Sequence, residues 1–219
     1  MELMKPIVIT ISRLRGCGGA YIGQRIAADL GLVYMDRQIV DEAAKKLDVP
    51  IEVIESRDER MTSVWKSIVE AMALANVYAY VPPPLYLQDD KSVHDQESAA
   101  IQHIAATQSA VIVGRAGSFI LREHPRHVRV FLHASVESRK RRLQQLYEIT
   151  AAAAEATIAQ TDRERAQYIR AVTGREISDA TQYDLCIDTG ALGLEETEKM
   201  IVEYVRTRFG WTRTESARN

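Results

Sequence analysis

An α/β fold, with a five-stranded parallel sheet covered by helices on both faces, is what this 219-residue sequence predicts. Three observations carry that reading. Short apolar runs recur at Ile7 to Ser12, Leu32 to Tyr34, Ala110 to Gly114, Val128 to Leu132 and Asp184 to Ile187. Each is followed by a segment with helical periodicity, the alternation that strand-helix-strand units produce. The runs rarely alternate apolar with polar residues, as expected of strands buried on both sides.

The first run enters a turn, Arg13-Leu-Arg-Gly-Cys-Gly-Gly-Ala-Tyr21, that opens an amphipathic helix ending near Gly31. Strand, glycine turn and helix N-terminus aim backbone N–H groups and the positive end of a helix dipole at one point, where an anion fits. Gly16, Gly18 and Gly19 allow φ > 0 and close approach to a ligand. The Gly-x4-Gly-Lys-Ser/Thr phosphate motif is broken, however. Arg13 stands where its first Gly belongs, Gly19 where the Lys belongs, and Ala20 and Tyr21 supply no hydroxyl for magnesium. Arg13 and Arg15 are the nearest cations able to stabilise a transferring phosphoryl group. The competing reading is a turn whose glycines serve packing alone.

The second run leads to Asp36-Arg37 and is separated from the third by some seventy residues, too long for one crossover helix. This stretch, about 37–107, predicts inserted helices near Arg37 to Leu47, Arg60 to Tyr80 and Val93 to Thr107, broken at Val81-Pro82-Pro83-Pro84. The third run leads to Gly114-Arg115. Ligands of parallel sheets bind beyond the carboxyl ends of strands, so Asp36 and Arg115 are placed beside the glycine turn. An N-cap role is the other reading of Asp36. After the fourth run come Arg139, Lys140, Arg141 and Arg142, of which Arg139 and Arg142 share a helix face. Ala151 to Gly174 then gathers Asp162, Arg163, Arg165, Tyr168 and Arg170, which also reads as a solvated, charge-laced helix.

Together these residues resemble the cytidylate kinase-like proteins, a branch of the nucleoside monophosphate kinases. The resemblance rests on ITISRLRGCGG with IAADLGLVYMDR, AVIVGRAGSFIL, VRVFLHASVESRKRRL, DRERAQYIRAVTG and YDLCIDTGALGLEE, spread in order over nearly the whole chain. It implies a three-layer α/β/α domain of the P-loop NTPase type over residues 1–210, with strand order 2-3-1-4-5. It also implies inserted acceptor-binding helices at about 37–107, a helical lid at about 151–174, and a polar tail at 211–219. The implied activity is phosphoryl transfer from ATP, with Mg2+, to a nucleoside monophosphate, CMP or dCMP favoured.

The resemblance further implies roles for the residues already named. The phosphate-binding loop is Gly16, Cys17, Gly18, Gly19 and Ala20. Arg163 and Arg165 of the lid carry catalysis and Arg139, Arg142 and Arg170 meet phosphate, while Arg13 and Arg15 join the catalytic set from the turn itself, as the cations nearest the place of the absent lysine. Asp36, Arg37 and Arg115 bind the acceptor, Asp36 also holding magnesium through water. Ala116 follows Arg115 where cytidylate kinases proper often carry Asp, so base recognition by that carboxylate has no counterpart. Two further readings stay open: a nucleotide- or anion-binding regulatory protein with a degenerate kinase site, and a kinase acting on another small acceptor.

Composition narrows the partners. With 28 basic and 30 acidic residues the chain offers no net charge for nucleic acid or a membrane surface. Small-molecule nucleotides are the expected partners. No leader-like pattern or membrane-length apolar run is present, which predicts a cytoplasmic protein. Cys17 and Cys186 have no metal or redox spacing. Cys17, among arginines at a helix start, is a candidate thiolate or simply a small loop residue, while Cys186 is expected buried and reduced. The five histidines are scattered, and His133 is expected to be structural.

Overall fold

The computed structural model describes residues 5–36 and 91–211. Arg37, the first two inserted helices and the proline break lie outside the described residues. The elements, in order, are β1 (Val8–Arg13), α1 (Gly19–Leu30), β2 (Val33–Met35), α2 (Lys91–Thr107), β3 (Ala110–Val113), α3 (Gly117–Ile120), β4 (His127–His133), α4 (Val136–Tyr147), α5 (Ala151–Thr173), β5 (Leu185–Asp188), α6 (Thr189–Leu192) and α7 (Leu194–Phe209). The strands form one parallel sheet in the order β2-β3-β1-β4-β5. Each expected strand lies within one residue of the observed bounds, and the order is the one the resemblance implied.

Side-chain alternation along β1 builds the layers. Ile7, Ile9 and Ile11 face one way and pack with Ile22 and Ile26 of α1 and Ile201 and Val205 of α7. Val8 faces the other way, with Ile112 of β3 and Ile101 and Ile104 of α2. Each isoleucine so buried contributes about 1.5–3 kcal/mol of apolar transfer free energy. Further along the second face, Phe119, Phe131 and Tyr183 receive Ile169 of α5, while Ala154 and Ile158 near the other end of α5 pack on Leu143 of α4. The stretch expected to be a lid is thus a 23-residue helix seated on the domain at both ends. Thr150 caps its first turn by accepting the Ala153 N–H, and Gly174 ends it in the left-handed region.

Two expectations change. Cys186 is exposed, because β5 lies at the edge of the sheet, with no outer neighbour among the described residues. Trp211, first residue of the expected polar tail, is buried and donates its indole N–H to the Leu30 carbonyl at 3.2 Å, so it belongs to the core beside α1.

The second face of β1 also buries a polar chain. His127 Nδ1 lies 2.8 Å from the Leu121 carbonyl, which only accepts, so this nitrogen carries the proton. Nε2 therefore accepts from the Thr10 hydroxyl at 2.8 Å, Thr10 accepts from Ser118 at 2.8 Å, and Ser118 accepts from Ser12 at 3.2 Å. Burial, opposed by the Leu121 hydrogen bond, pushes the His127 pKa down to about 4. The folded pKa lies below the unfolded value of about 6.5, so between these pH values the unfolded chain binds more protons and stability falls as pH falls. Urea unfolding at pH 7 and pH 4.5 is expected to show wild type losing roughly 2–3 kcal/mol more than His127→Gln. Equal losses would show that His127 does not stay neutral.

Candidate active site

The glycine turn joins β1 to α1 at the carboxyl edge of the sheet. Gly16 has φ 90° and Gly18, the N-cap of α1, φ 75°. Both are also crowded: a Cβ on Gly16 would stand 2.9 Å from Arg139 Cβ, and one on Gly18 2.6 Å from Leu194 Cδ2. Conformation and space each demand glycine here, and the unpaired first N–H groups of α1 open toward the turn.

Gly19, in the place of the motif lysine, is filled from another direction. A Cβ there would lie 3.0 Å from Arg13 Cγ and 3.3 Å from Arg13 Cβ, so the Arg13 stem crosses the space from which a lysine would start. The guanidinium of Arg13 ends against Gly114, where a Cβ would collide with it. Arg13, Gly114, Arg115, Arg165 and Tyr168 line one cleft of about 40 Å³. Three arginines therefore meet at the adjacent ends of β1 and β3.

The backbone after β3 is held in a sparsely populated conformation. Gly114, Arg115 and Ala116 have φ of 88°, 53° and 54°, and the two non-glycine residues cost on the order of 1–3 kcal/mol each. Arg115 forms an ion pair with Glu97 of α2, whose side chain is 2 % exposed. Tyr168 of α5 donates to Glu97 Oε2 at 3.4 Å and lies 3.3 Å from His94 Nδ1. Burial lowers the pKa of His94. Glu97 escaped the sequence reading because its partner is reached only through the fold.

The four basic residues of α4 separate as helix geometry dictates. Arg139 and Arg142 turn inward, Arg141 is exposed, and Lys140 pairs with Glu137 and Glu155 at 3.0 Å each. Arg139 is engaged by protein groups: Nη1 on Asp162 Oδ2 at 2.5 Å and on the Arg15 carbonyl at 3.2 Å, Nε on the Ala134 carbonyl at 3.0 Å. Arg142 differs. Its Cζ lies 3.5 Å from the Cβ position of Gly18, it is partly buried, and it makes no hydrogen bond or ion pair among the described residues. Burial pulls its pKa below the usual guanidinium range, with Tyr147 and Tyr21 opposing. Arg15 lies over the Tyr147 ring at 5.4 Å, and its buried Nε has no hydrogen-bond partner among the described residues.

From α5, Arg165 Nη1 donates to the Arg13 carbonyl at 3.0 Å, and Asp162 Oδ1 accepts the Arg15 N–H at 2.7 Å. The structure does not bring Arg163 or Arg170 to the turn. Arg163 is exposed, lying about 100° around the helix from Asp162, and Arg170 pairs with Glu176 at 2.6 Å on the surface. Asp36, just past β2, accepts from Tyr34 at 3.5 Å. Among the described residues no group of three His, Cys, Asp or Glu side chains could hold a metal.

Cys17 is buried, and burial pushes its thiol up to about 11, outweighing the opposing charge of Arg139 and the hydrogen bond from Thr189. Of the two readings of Cys17, the small loop residue is the one this favours over the thiolate: desolvation wins and Cys17 is a neutral, small packing residue. His133, at the end of β4, stacks on Phe131 at 6.1 Å, as a structural residue does.

With this geometry in place, comparison with known proteins identifies the fold's kin. A profile of the cytidylate kinase-like family matches residues 8–191. The chain belongs to that family. Among solved structures, an uncharacterized protein from Eubacterium ventriosum ATCC 27560 is similar over 93% of this chain and 99% of that one, at 21% identity and TM-score 0.70. A shikimate kinase from Bacteroides thetaiotaomicron is 14% identical, covering 91% of this chain and 98% of that one, with TM-score 0.49. A gluconokinase from Sinorhizobium meliloti 1021 is 15% identical, covering 93% and 98%, with TM-score 0.47. The first shows a shared fold, and likeness at the level of the other two establishes nothing about substrate. No curated protein matches. This family member thus has a kinase-type three-layer fold, and no helix among its described residues is long and apolar enough to cross a membrane.

Proposed function

We propose that the protein transfers the γ-phosphoryl group of ATP to a nucleoside monophosphate, with CMP and dCMP the first acceptors to test. The observation that carries this reading is the path of Arg13, whose stem occupies the lysine's place over Gly19 and whose guanidinium reaches the cleft shared with Arg115 and Arg165. A phosphoryl-transfer site needs positioning and positive charge where charge moves between donor and acceptor oxygens. This cleft lies between the glycine turn and the end of β3. The turn's N–H groups take the ATP phosphates, with Arg142 and Arg15 supplying cations at its other side. Arg13 and Arg165 neutralise the transferring group, and Arg115, held by Glu97, orients the acceptor phosphate. The acceptor oxygen attacks the γ-phosphorus in line and ADP leaves.

The residues fit a triphosphate better than they fit its metal. Magnesium neutralises phosphate charge when it arrives with ATP, but Ala20 offers it no hydroxyl. Asp36, just past β2, is the residue that would hold it, through a water. That missing hydroxyl also favours a second reading, a nucleotide-binding regulatory protein without turnover. Release of ADP from MgATP, measured over a panel of nucleoside monophosphates and other small hydroxyl or phosphate acceptors, separates the two. Turnover with one nucleoside monophosphate is expected. ATP binding with no acceptor-dependent ADP leaves the regulatory reading.

A further inference from the structure

The segment that presents the anion site barely holds itself in shape. Between Leu14, whose N–H joins the Leu132 carbonyl, and Gly18, whose carbonyl takes the Ile22 N–H, the only backbone bond among the described residues is a 3.5 Å contact from Cys17 N–H to the Leu14 carbonyl. Its form is imposed from α5. Asp162 and Arg165, one turn apart on the same face, take the Arg15 N–H at 2.7 Å and the Arg13 carbonyl at 3.0 Å. The other oxygen of Asp162 binds Arg139 Nη1 at 2.5 Å, and that nitrogen also donates to the Arg15 carbonyl at 3.2 Å. Both polar groups of the Arg15 backbone are therefore fixed by one ion pair, immediately before the left-handed turn at Gly16. The Arg139 side chain is 7 % exposed and that of Asp162 19 %, so the pair is largely withdrawn from water. Buried residues before and after it, Ile158 and Ile169, seat the helix that carries it.

We propose that Asp162 is a positioning residue for the glycine turn, preorganising its N–H groups for the phosphates of a nucleoside triphosphate through Arg15 and Arg139. The assignment rests on the reading that the turn takes nucleotide phosphates, but not on turnover. A carboxylate close to a phosphate site would by charge alone weaken anion binding. Here its charge is balanced by Arg139, and the ordering it imposes is what remains: a turn held ready loses less entropy when the anion arrives.

The test is calorimetric titration of ATP and inorganic tripolyphosphate into wild type, Asp162→Ala, Asp162→Asn and Ile158→Ala, at least 15 °C below each unfolding midpoint. Ile158→Ala loosens the seat of the same helix without touching the turn, and so matches the loss of stability. Asp162→Ala is expected to weaken both ligands about tenfold or more, while Ile158→Ala binds like wild type. Asp162→Asn, which keeps a carbonyl for the Arg15 N–H but turns an amide donor toward Arg139 and loses the ion pair, is expected to fall between wild type and Asp162→Ala. Equal weakening in Asp162→Ala and Ile158→Ala would reduce Asp162 to a structural residue and overturn the proposal. So would tighter binding by Asp162→Ala, which would make the carboxylate a competitor of phosphate. Failure of wild type to bind either ligand would sink this proposal and the kinase reading together. Binding in the expected order without turnover on any acceptor sinks the kinase reading alone.

Discussion

Arg13→Ala is expected to lower turnover about 100- to 1000-fold while changing ATP affinity by no more than a few-fold. The magnitude is that of removing one preorganised group aimed at developing charge, about 2.7–4 kcal/mol. It falls on turnover because the guanidinium ends at Gly114, in the cleft between turn and acceptor side, and not among the N–H groups of the turn. Arg13→Lys keeps the stem over Gly19 and a charge but loses the fork, so an intermediate loss is expected. Restoring the common loop with Gly19→Lys is expected to slow turnover, because its Cβ would come 3.0 Å from Arg13 Cγ and the Arg13 stem must give way by a few tenths of an ångström, disturbing the path of its guanidinium. Initial rates and ATP titrations of the three variants check this. A Gly19→Lys protein faster than wild type would mean that the turn is degenerate and that Arg13 replaces nothing.

Substitution of Arg115 has the second large effect, and the structure dictates which variant is informative. Arg115→Ala would take the cation from the carboxylate of Glu97, whose side chain is 2 % exposed. Losing one partner of a buried pair costs about 3–5 kcal/mol of stability. Arg115→Lys retains a cation for Glu97 but cannot grip a phosphate with two parallel N–H donors. Its KM for the acceptor is expected to rise ten- to a hundredfold with the KM for ATP unchanged. Equal changes in both would place Arg115 on the ATP side, and no change in either would remove it from the site.

The layers of this fold were legible because β-branched runs such as Ile7 to Ile11 carry both halves of the core on alternate residues. The turn was legible as an anion site because three glycines precede a helix. What strand pattern cannot report is which strand ends at an edge, and Cys186 was misjudged for that reason. The burial of Cys17 likewise comes from a core cluster assembled from β1, α1 and α7, which only the fold brings together. The arginines show a middle case. Helix phase assigned Arg139 and Arg142 to one face correctly, and the same rule applied to Asp162, Arg165 and Tyr168 separates them from Arg163. Their partners, Arg15, Arg13 and Glu97, lie 147, 152 and 71 residues away, and no local signal announces such pairs.

The central claim is that this cleft moves a phosphoryl group although the loop lysine is absent, and phosphorus NMR of purified protein with MgATP and CMP, then each other nucleoside monophosphate, tests it most directly. The account predicts ATP resonances replaced by those of ADP and of the acceptor's diphosphate in equal amounts, with Arg13→Ala leaving the ATP intact over the same period. ATP that binds wild type yet persists unchanged with every acceptor, or decays only to ADP and free phosphate, would contradict it.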